Sequence, residues 1–154
     1  MDKTQIIHYQ ECMMSELDEA DRLLLEAAIE ATDTAYAPYS NFHVGAAVRL
    51  EDGTVVKGSN QENIAYPSGL CAERTALFAA GSQYPDRVIE ALAIVGCNQQ
   101  SVLTAASPCG ACRQVMAEVE NRQGKKLRVI CYFSESKILI FEGVESLLPF
   151  VFNM

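Results

Sequence analysis

The sequence predicts an α/β fold, a sheet of about five strands with helices packed on its faces. Three observations carry that reading. Apolar residues repeat at helical spacing between Ser15 and Tyr36. Two β-rich runs flank Asp52-Gly53, a common tight-turn pair. The run "VIEALAIVG" (88–96) is almost wholly apolar, as expected of a strand covered on both faces.

In chain order, "KTQIIHYQEC" (3–12) is compatible with an extra edge strand or a loose arm, and residues 1–20 read as an N-terminal extension. In "SELDEADRLLLEAAIEATDTAY", positions 23, 24, 27, 28, 31 and 35 form an apolar stripe, and acidic residues crowd the first turns, where the helix dipole favours them. Pro38 in "APYSNF" ends that helix, and "VGAAVRLEDGTVVKGSN" follows as a hairpin. After the loop "QENIAYPSGL" comes a helix carrying Cys71 and Glu73 and ending near Gly81-Ser82. The strand "VIEALAIVG", the loop "CNQQSVLTAASP" and a helix from about Cys109 to before Gly124 come next. "LRVICYF" and "KILIFEG" are strands on either side of a polar turn, and "VESLLPF" reads as a short closing helix.

The 154 residues suit a single domain (1–154), with 49% hydrophobic and 21% charged residues, an ordinary globular balance. No apolar run approaches the roughly 20 residues that span a bilayer. The N-terminal segment lacks a long apolar core and a basic leader, so no signal peptide and no membrane role is expected. Six cysteines then fit thiols or metal ligands in a reducing cytoplasm better than disulfides. A net charge of −8 opposes a nucleic-acid partner, because "RQGKK" (122–126), the one basic cluster, reads as a solvated helix end. A small, weakly charged substrate is the better match.

Chemistry concentrates in two stretches. "SPCGACRQVMAEV" places Cys109 and Cys112 in a C-x-x-C at a helix start, a spacing that brings two sulfurs to one tetrahedral ion. Alone, it is also compatible with a redox dithiol or with two buried cysteines. Cys71, at the start of another helix, supplies a third sulfur, and three thiolates leave the fourth zinc position open, the arrangement of a catalytic site. Glu73 lies just inside the same helix, close to the ion without ligating it. Three thiolates make the site electron-rich, and Arg74 and Arg113, each directly after a motif residue, are candidate balancing cations.

Read together, "CAE" and "PCGACRQ" resemble the zinc deaminase signature, including its three-cysteine variant and its non-ligand glutamate. With "YAPYSNFHVGAAV", "NQEN", "CAERTAL" and the terminal "SLLPF", the chain resembles the small homotetrameric cytidine deaminases over residues 23–152. The resemblance implies a three-layer fold with a mixed sheet and helices on both faces. It implies one zinc ion per subunit on Cys71, Cys109 and Cys112, with Glu73 as proton shuttle. Phe42 would pack on the pyrimidine, Asn60 and Glu62 would hold the ribose hydroxyl, and Ala72 would also line the substrate. Arg74 would donate to the ligand thiolates, while Phe152 and Tyr66 would reach a neighbouring subunit's site. The implied activity is hydrolytic deamination of cytidine and deoxycytidine in pyrimidine salvage. Gln61 departs from the family, which commonly has valine or isoleucine there.

On pattern alone, Phe42 is a core aromatic, Asn60 and Glu62 belong to a solvated loop, and Phe150 and Phe152 are packing residues. Cys97 and Cys131 read as small buried apolar residues, Cys12 has no partner motif, and His43 is a spare ligand type. Two other functions stay open from sequence: a deaminase of another aminopyrimidine such as a blasticidin-type antibiotic, and a structural zinc module, which requires a fourth protein ligand.

Overall fold

The computed structural model describes residues 1–153. The chain opens with a short strand, β1 (Gln10–Cys12), and a 3-10 turn at Met14–Glu16. Helix α1 (Glu19–Ala31) is capped by Asp18, whose carboxylate accepts the Asp21 N–H at 2.8 Å. The hairpin β2 (His43–Leu50) and β3 (Val55–Ser59) turns through Gly53 at φ +86°, a conformation glycine adopts without steric cost. Next come α2 (Ala72–Gln83), β4 (Ile89–Cys97), the two-residue β5 (Leu103–Thr104), α3 (Gly110–Gln123), β6 (Arg128–Ser134) and β7 (Lys137–Glu142).

These strands form one mixed sheet in the order β1-β7-β6-β4-β2-β3, with β5 paired to β4. Among the described strands, β4 and β6 are the one neighbouring pair that runs parallel; the chain crosses between them through α3. The sheet therefore has seven strands among the described residues, against the five expected. Both extra strands are short. The undecided N-terminal arm resolves into an edge strand, with Gln10 opposite Ile140 and Cys12 opposite Ile138. The segment read as an unbroken loop at 97–108 adds a two-residue pairing to β4. The expected closing helix is a 3-10 turn at Val144–Ser146. Gly143 at φ +114° and Pro149 leave too few residues between them for an α-helix to establish itself.

Three layers result. On one face α1 packs Leu24, Leu25 and Ala28 against Ala93, Val95 and Ile130. On the other, α2 and α3 pack Ala76, Leu77 and Met116 against Leu92, Ile94 and Val129. Consecutive β4 residues thus point into opposite cores, which is why its sequence shows no alternation. Asp21, 2% exposed, fastens α1 to the sheet by accepting from Arg128 Nη2 at 2.7 Å and lying 3.4 Å from Arg49 Nη1. Gly58 sets the seat of α2: a Cβ there would stand 2.4 Å from Ala76 N and 2.7 Å from Ala72 O. The helix backbone rests directly on β3, and this contact fixes where the first turn of α2 ends up.

Candidate active site

Cys71 is the N-cap of α2 and Cys109 the N-cap of α3, each in extended backbone immediately before its helix. Neither side chain caps its own helix, so both sulfurs are free to turn outward. Cys112 is the third residue of α3 and fully buried. The two helices bring all three Sγ atoms within 4.8 Å of one another, with Cys71 and Cys109 at 3.9 Å. Sulfurs bound tetrahedrally at about 2.3 Å from zinc stand about 3.8 Å apart, so the cluster fits that ion with little movement. His43 is not part of the cluster.

The electrostatics favour a cation at the same point. The Cys71 thiol is pulled down to about 5, first by its hydrogen bond with Cys112 and then, against burial, by Arg74. Cys112 is pushed up by its bond to Cys71, by burial and by the neighbouring negative charges. Three sulfurs this close cannot all ionise on their own; a dication would let them. Arg74 Nη2 donates to Cys71 Sγ at 3.4 Å, as its place in the motif suggested. Arg113 is not a balancing cation. It spends its guanidinium on Pro108 O at 2.8 Å, Leu147 O at 2.7 Å and Ser107 Oγ at 3.3 Å, tying the loop before α3 to the C-terminal turn.

Two adjoining hollows share Phe42, Asn60 and Cys71. The inner one, about 300 Å³, is walled by Val44, Ala72, Glu73, Ile94, Ala106 and Cys109, among others. Glu73 is only 3% exposed there, and burial pushes its carboxyl up to about 7. The Cys71 charge adds to this, against lowering by its own backbone N–H, Cys112 and Arg74. Phe42 lies at the rim, its ring against Gly96, where an added Cβ would come within 2.5 Å of Cζ. The outer hollow, about 320 Å³, is bordered by Ser40, Glu62, Tyr66 and Arg74. Glu62 accepts from Ser40 N at 3.1 Å and Ser40 Oγ at 2.9 Å. Asn60 is held by the strand it faces: Oδ1 accepts from Val44 N at 2.8 Å and Nδ2 donates to Phe42 O at 2.9 Å.

Phe42, Asn60, Glu62, Tyr66, Cys71, Ala72, Glu73, Arg74 and Cys109 thus border one cleft, and Cys112 closes the cluster beneath it. Phe152 borders neither hollow. It is 78% exposed, and its main chain pairs with the Gln114 amide on α3 at 2.9 and 3.2 Å. Tyr66 is 76% exposed and meets Tyr39 edge to face. Sequence reasoning missed Ser40 and the wall formed by Ala105, Ala106 and Ser107. Ser40 lies within one motif already singled out, and Ala105–Ser107 run into the start of another, which was the available signal. Cys131 is buried and pushed up to about 12 by that burial, an inert thiol as expected.

A family model described as "Cytidine and deoxycytidylate deaminase zinc-binding region" matches residues 18–126. The cytidine deaminase of Halalkalibacterium halodurans is 49% identical over 98 residues, 64% of this chain and 70% of that one. That of Sporosarcina psychrophila is 48% identical over 103 residues, 67% and 71% of the two chains. Among solved structures, the cytidine deaminase of Burkholderia pseudomallei superposes with a TM-score of 0.73 at 41% identity, covering 84% of this chain and 97% of its own. The family match over residues 18–126 and these likenesses, together with the three-sulfur cluster, place the chain: it belongs to the cytidine and deoxycytidylate deaminase zinc-binding family.

Proposed function

We propose that the protein is a zinc-dependent cytidine deaminase that converts cytidine and deoxycytidine to uridine and deoxyuridine, releasing ammonia. The observation that carries this reading is Glu73: a buried carboxyl, raised to about 7, in the wall of the cavity that Cys71 and Cys109 also line. A structural zinc site would have no use for it, and would recruit a fourth protein ligand, whereas the cluster among the described residues is of three.

Zinc, when bound by Cys71, Cys109 and Cys112, supplies a Lewis acid that acidifies water at neutral pH. The chain's own residues do the rest. Glu73 accepts a proton from the attacking water as oxygen bonds to C4, and delivers that proton to ring N3. It then takes the remaining proton from the hydroxyl now on C4 and passes it to the exocyclic amine; as C4=O forms, the C4–N bond breaks to give ammonia and a uracil ring. One carboxyl suffices because these atoms surround one small cavity. Phe42 at the rim stacks the pyrimidine, and Ala72 leaves room for it. Asn60 and Glu62 receive the sugar hydroxyls in the outer hollow. Arg74 steadies the Cys71 thiolate.

A site that takes free nucleosides and returns their deaminated forms fits a salvage role in the cytoplasm. The homotetramer has support from the exposed aromatics Phe150, Phe152 and Tyr66, at 89, 78 and 76%, which a neighbouring copy would cover. The deciding experiment pairs metal analysis with an absorbance assay on cytidine, deoxycytidine and a blasticidin-type antibiotic. One zinc per chain with turnover of both nucleosides is expected. Zinc without turnover, or turnover of the antibiotic alone, would overturn the assignment; an active monomer by size-exclusion chromatography would overturn the tetramer.

A further inference from the structure

Between Asn60 and Glu62 stands Gln61, whose side chain has its own set of partners. Its amide nitrogen donates both protons, to Thr34 O at 3.2 Å and to Ser59 Oγ at 3.1 Å. Thr34 Oγ1 gives its own proton to Ala31 O at 3.0 Å, so the 2.9 Å contact between the hydroxyls requires Ser59 to donate to Thr34. The directions then run one way: Gln61 to Ser59, Ser59 to Thr34, Thr34 to the last turn of α1. Ser59 is 3% exposed, and Gln61 supplies the donor to its oxygen.

The main chain of the same residue is clamped as well. Gln61 N donates to Leu70 O and Leu70 N to Gln61 O, both at 2.9 Å, and Leu70 immediately precedes Cys71. On the other side, Tyr36 N donates to Asn60 O at 2.9 Å and Glu62 N to Tyr36 O at 2.8 Å. Residues 60–62 are therefore a single extended segment held between two loops. Asn60, Gln61 and Glu62 all border the outer hollow, and the Gln61 amide anchors the segment to the 3-10 turn at Thr32–Thr34 that follows α1.

We propose that Gln61 is a positioning residue for sugar recognition: its amide, locked to Thr34 and Ser59, sets the depth at which Asn60 and Glu62 present their polar atoms to the nucleoside hydroxyls. The proposal rests on the reading of Asn60 and Glu62 as sugar contacts. In that role Gln61 couples the sugar-facing segment to Ser59 and Thr34 through directional hydrogen bonds.

The test compares Gln61→Val and Glu62→Gln on cytidine and on 2′,3′-dideoxycytidine, with zinc content and thermal midpoint measured for each. For Gln61→Val, KM for cytidine should rise about three- to tenfold, the equivalent of one ordinary hydrogen bond, with kcat little changed and zinc retained. The analogue, which lacks the 2′- and 3′-hydroxyls and keeps the 5′-hydroxyl, should show little change, so the preference for cytidine over it narrows as it does in Glu62→Gln. Equal loss on both substrates, or no loss on either, would overturn the proposal. If Glu62→Gln narrows the preference and Gln61→Val does not, only the role of Gln61 falls. If neither does, the reading of the sugar contacts falls with it. Ser59→Ala, which removes the hydroxyl Gln61 donates to, tests the same link should Gln61→Val fail to fold, and should move KM the same way by less.

Discussion

The two hollows of the cleft share three residues yet are built on opposite principles. The inner one hangs from the core: Ala72 has no exposure, Glu73 has 3%, Ile94 comes from the central strand, and the buried Cys112 lies beneath. The outer one is walled largely by loop and 3-10-turn residues, Ser40, Glu62, Tyr66 and Gly69, with Arg74 of α2 at its inner side. Groups that break bonds need positions fixed to a fraction of an ångström, and packed helix starts provide them. Groups that recognise a hydrated sugar must meet solvent, so hydrogen bonds between loops stand in for packing. Damage to the inner hollow should abolish the reaction, and damage to the outer should weaken binding.

Removing a ligand is the largest break. Cys112→Ala should lose zinc by elemental analysis and lose detectable turnover. It also removes a fully buried side chain from the core that α2 and α3 form against the sheet, so the thermal midpoint should fall. Cys109→Ala should lose metal and turnover too, but its position is exposed and the metal-free proteins should differ in stability accordingly. Equal stability in the two apo variants would show that the core does not support the inner hollow in the way its burial indicates.

Glu73→Gln comes next. The amide keeps the size and cannot shuttle a proton, so kcat should drop at least about a hundredfold with zinc and cytidine binding retained. Near-full turnover would remove Glu73 from the mechanism. Arg74→Ala leaves Cys71 Sγ without its 3.4 Å donor. Loss of such an outer partner typically costs about 10- to 100-fold in metal affinity or activity, readable by competition with a chelator. Unchanged zinc affinity and turnover would reduce Arg74 to a wall residue.

The same contrast explains what the sequence made legible. The inner hollow is written in local signals: C-x-x-C at a helix start, a third cysteine and a glutamate at another, and an almost wholly apolar strand between them. Each is set by residues a few positions apart. Where position depends on distant partners, the reading failed or stalled. Arg74 and Arg113 look equivalent by sequence, yet only Arg74 points at a sulfur, because Arg113 meets the carbonyl of Leu147, brought in by the C-terminal turn. The edge strand Gln10–Cys12 exists because β7 offers an unpaired edge, and nothing within residues 1–12 encodes that edge. Roles for Asn60 and Glu62 came from resemblance alone, since their partners, Val44 and Ser40, lie 16 and 22 residues away.

Ser40 gives the smallest and most discriminating prediction. Its hydroxyl donates to Glu62 at 2.9 Å and accepts from Phe42 N at 3.1 Å, linking the sugar-facing carboxylate to the aromatic at the rim. Ser40→Ala removes that link but leaves the Ser40 N–H on Glu62 at 3.1 Å. With one of two supports intact, the loss should be about 1 kcal/mol or less, a KM for cytidine raised no more than about fivefold. Since the sulfur cluster and Glu73 are untouched, kcat, zinc content and thermal midpoint should stay close to those of the parent. A fall in kcat larger than the rise in KM would mean that the loop also sets the geometry of bond breaking, and the division of labour between the two hollows would not hold.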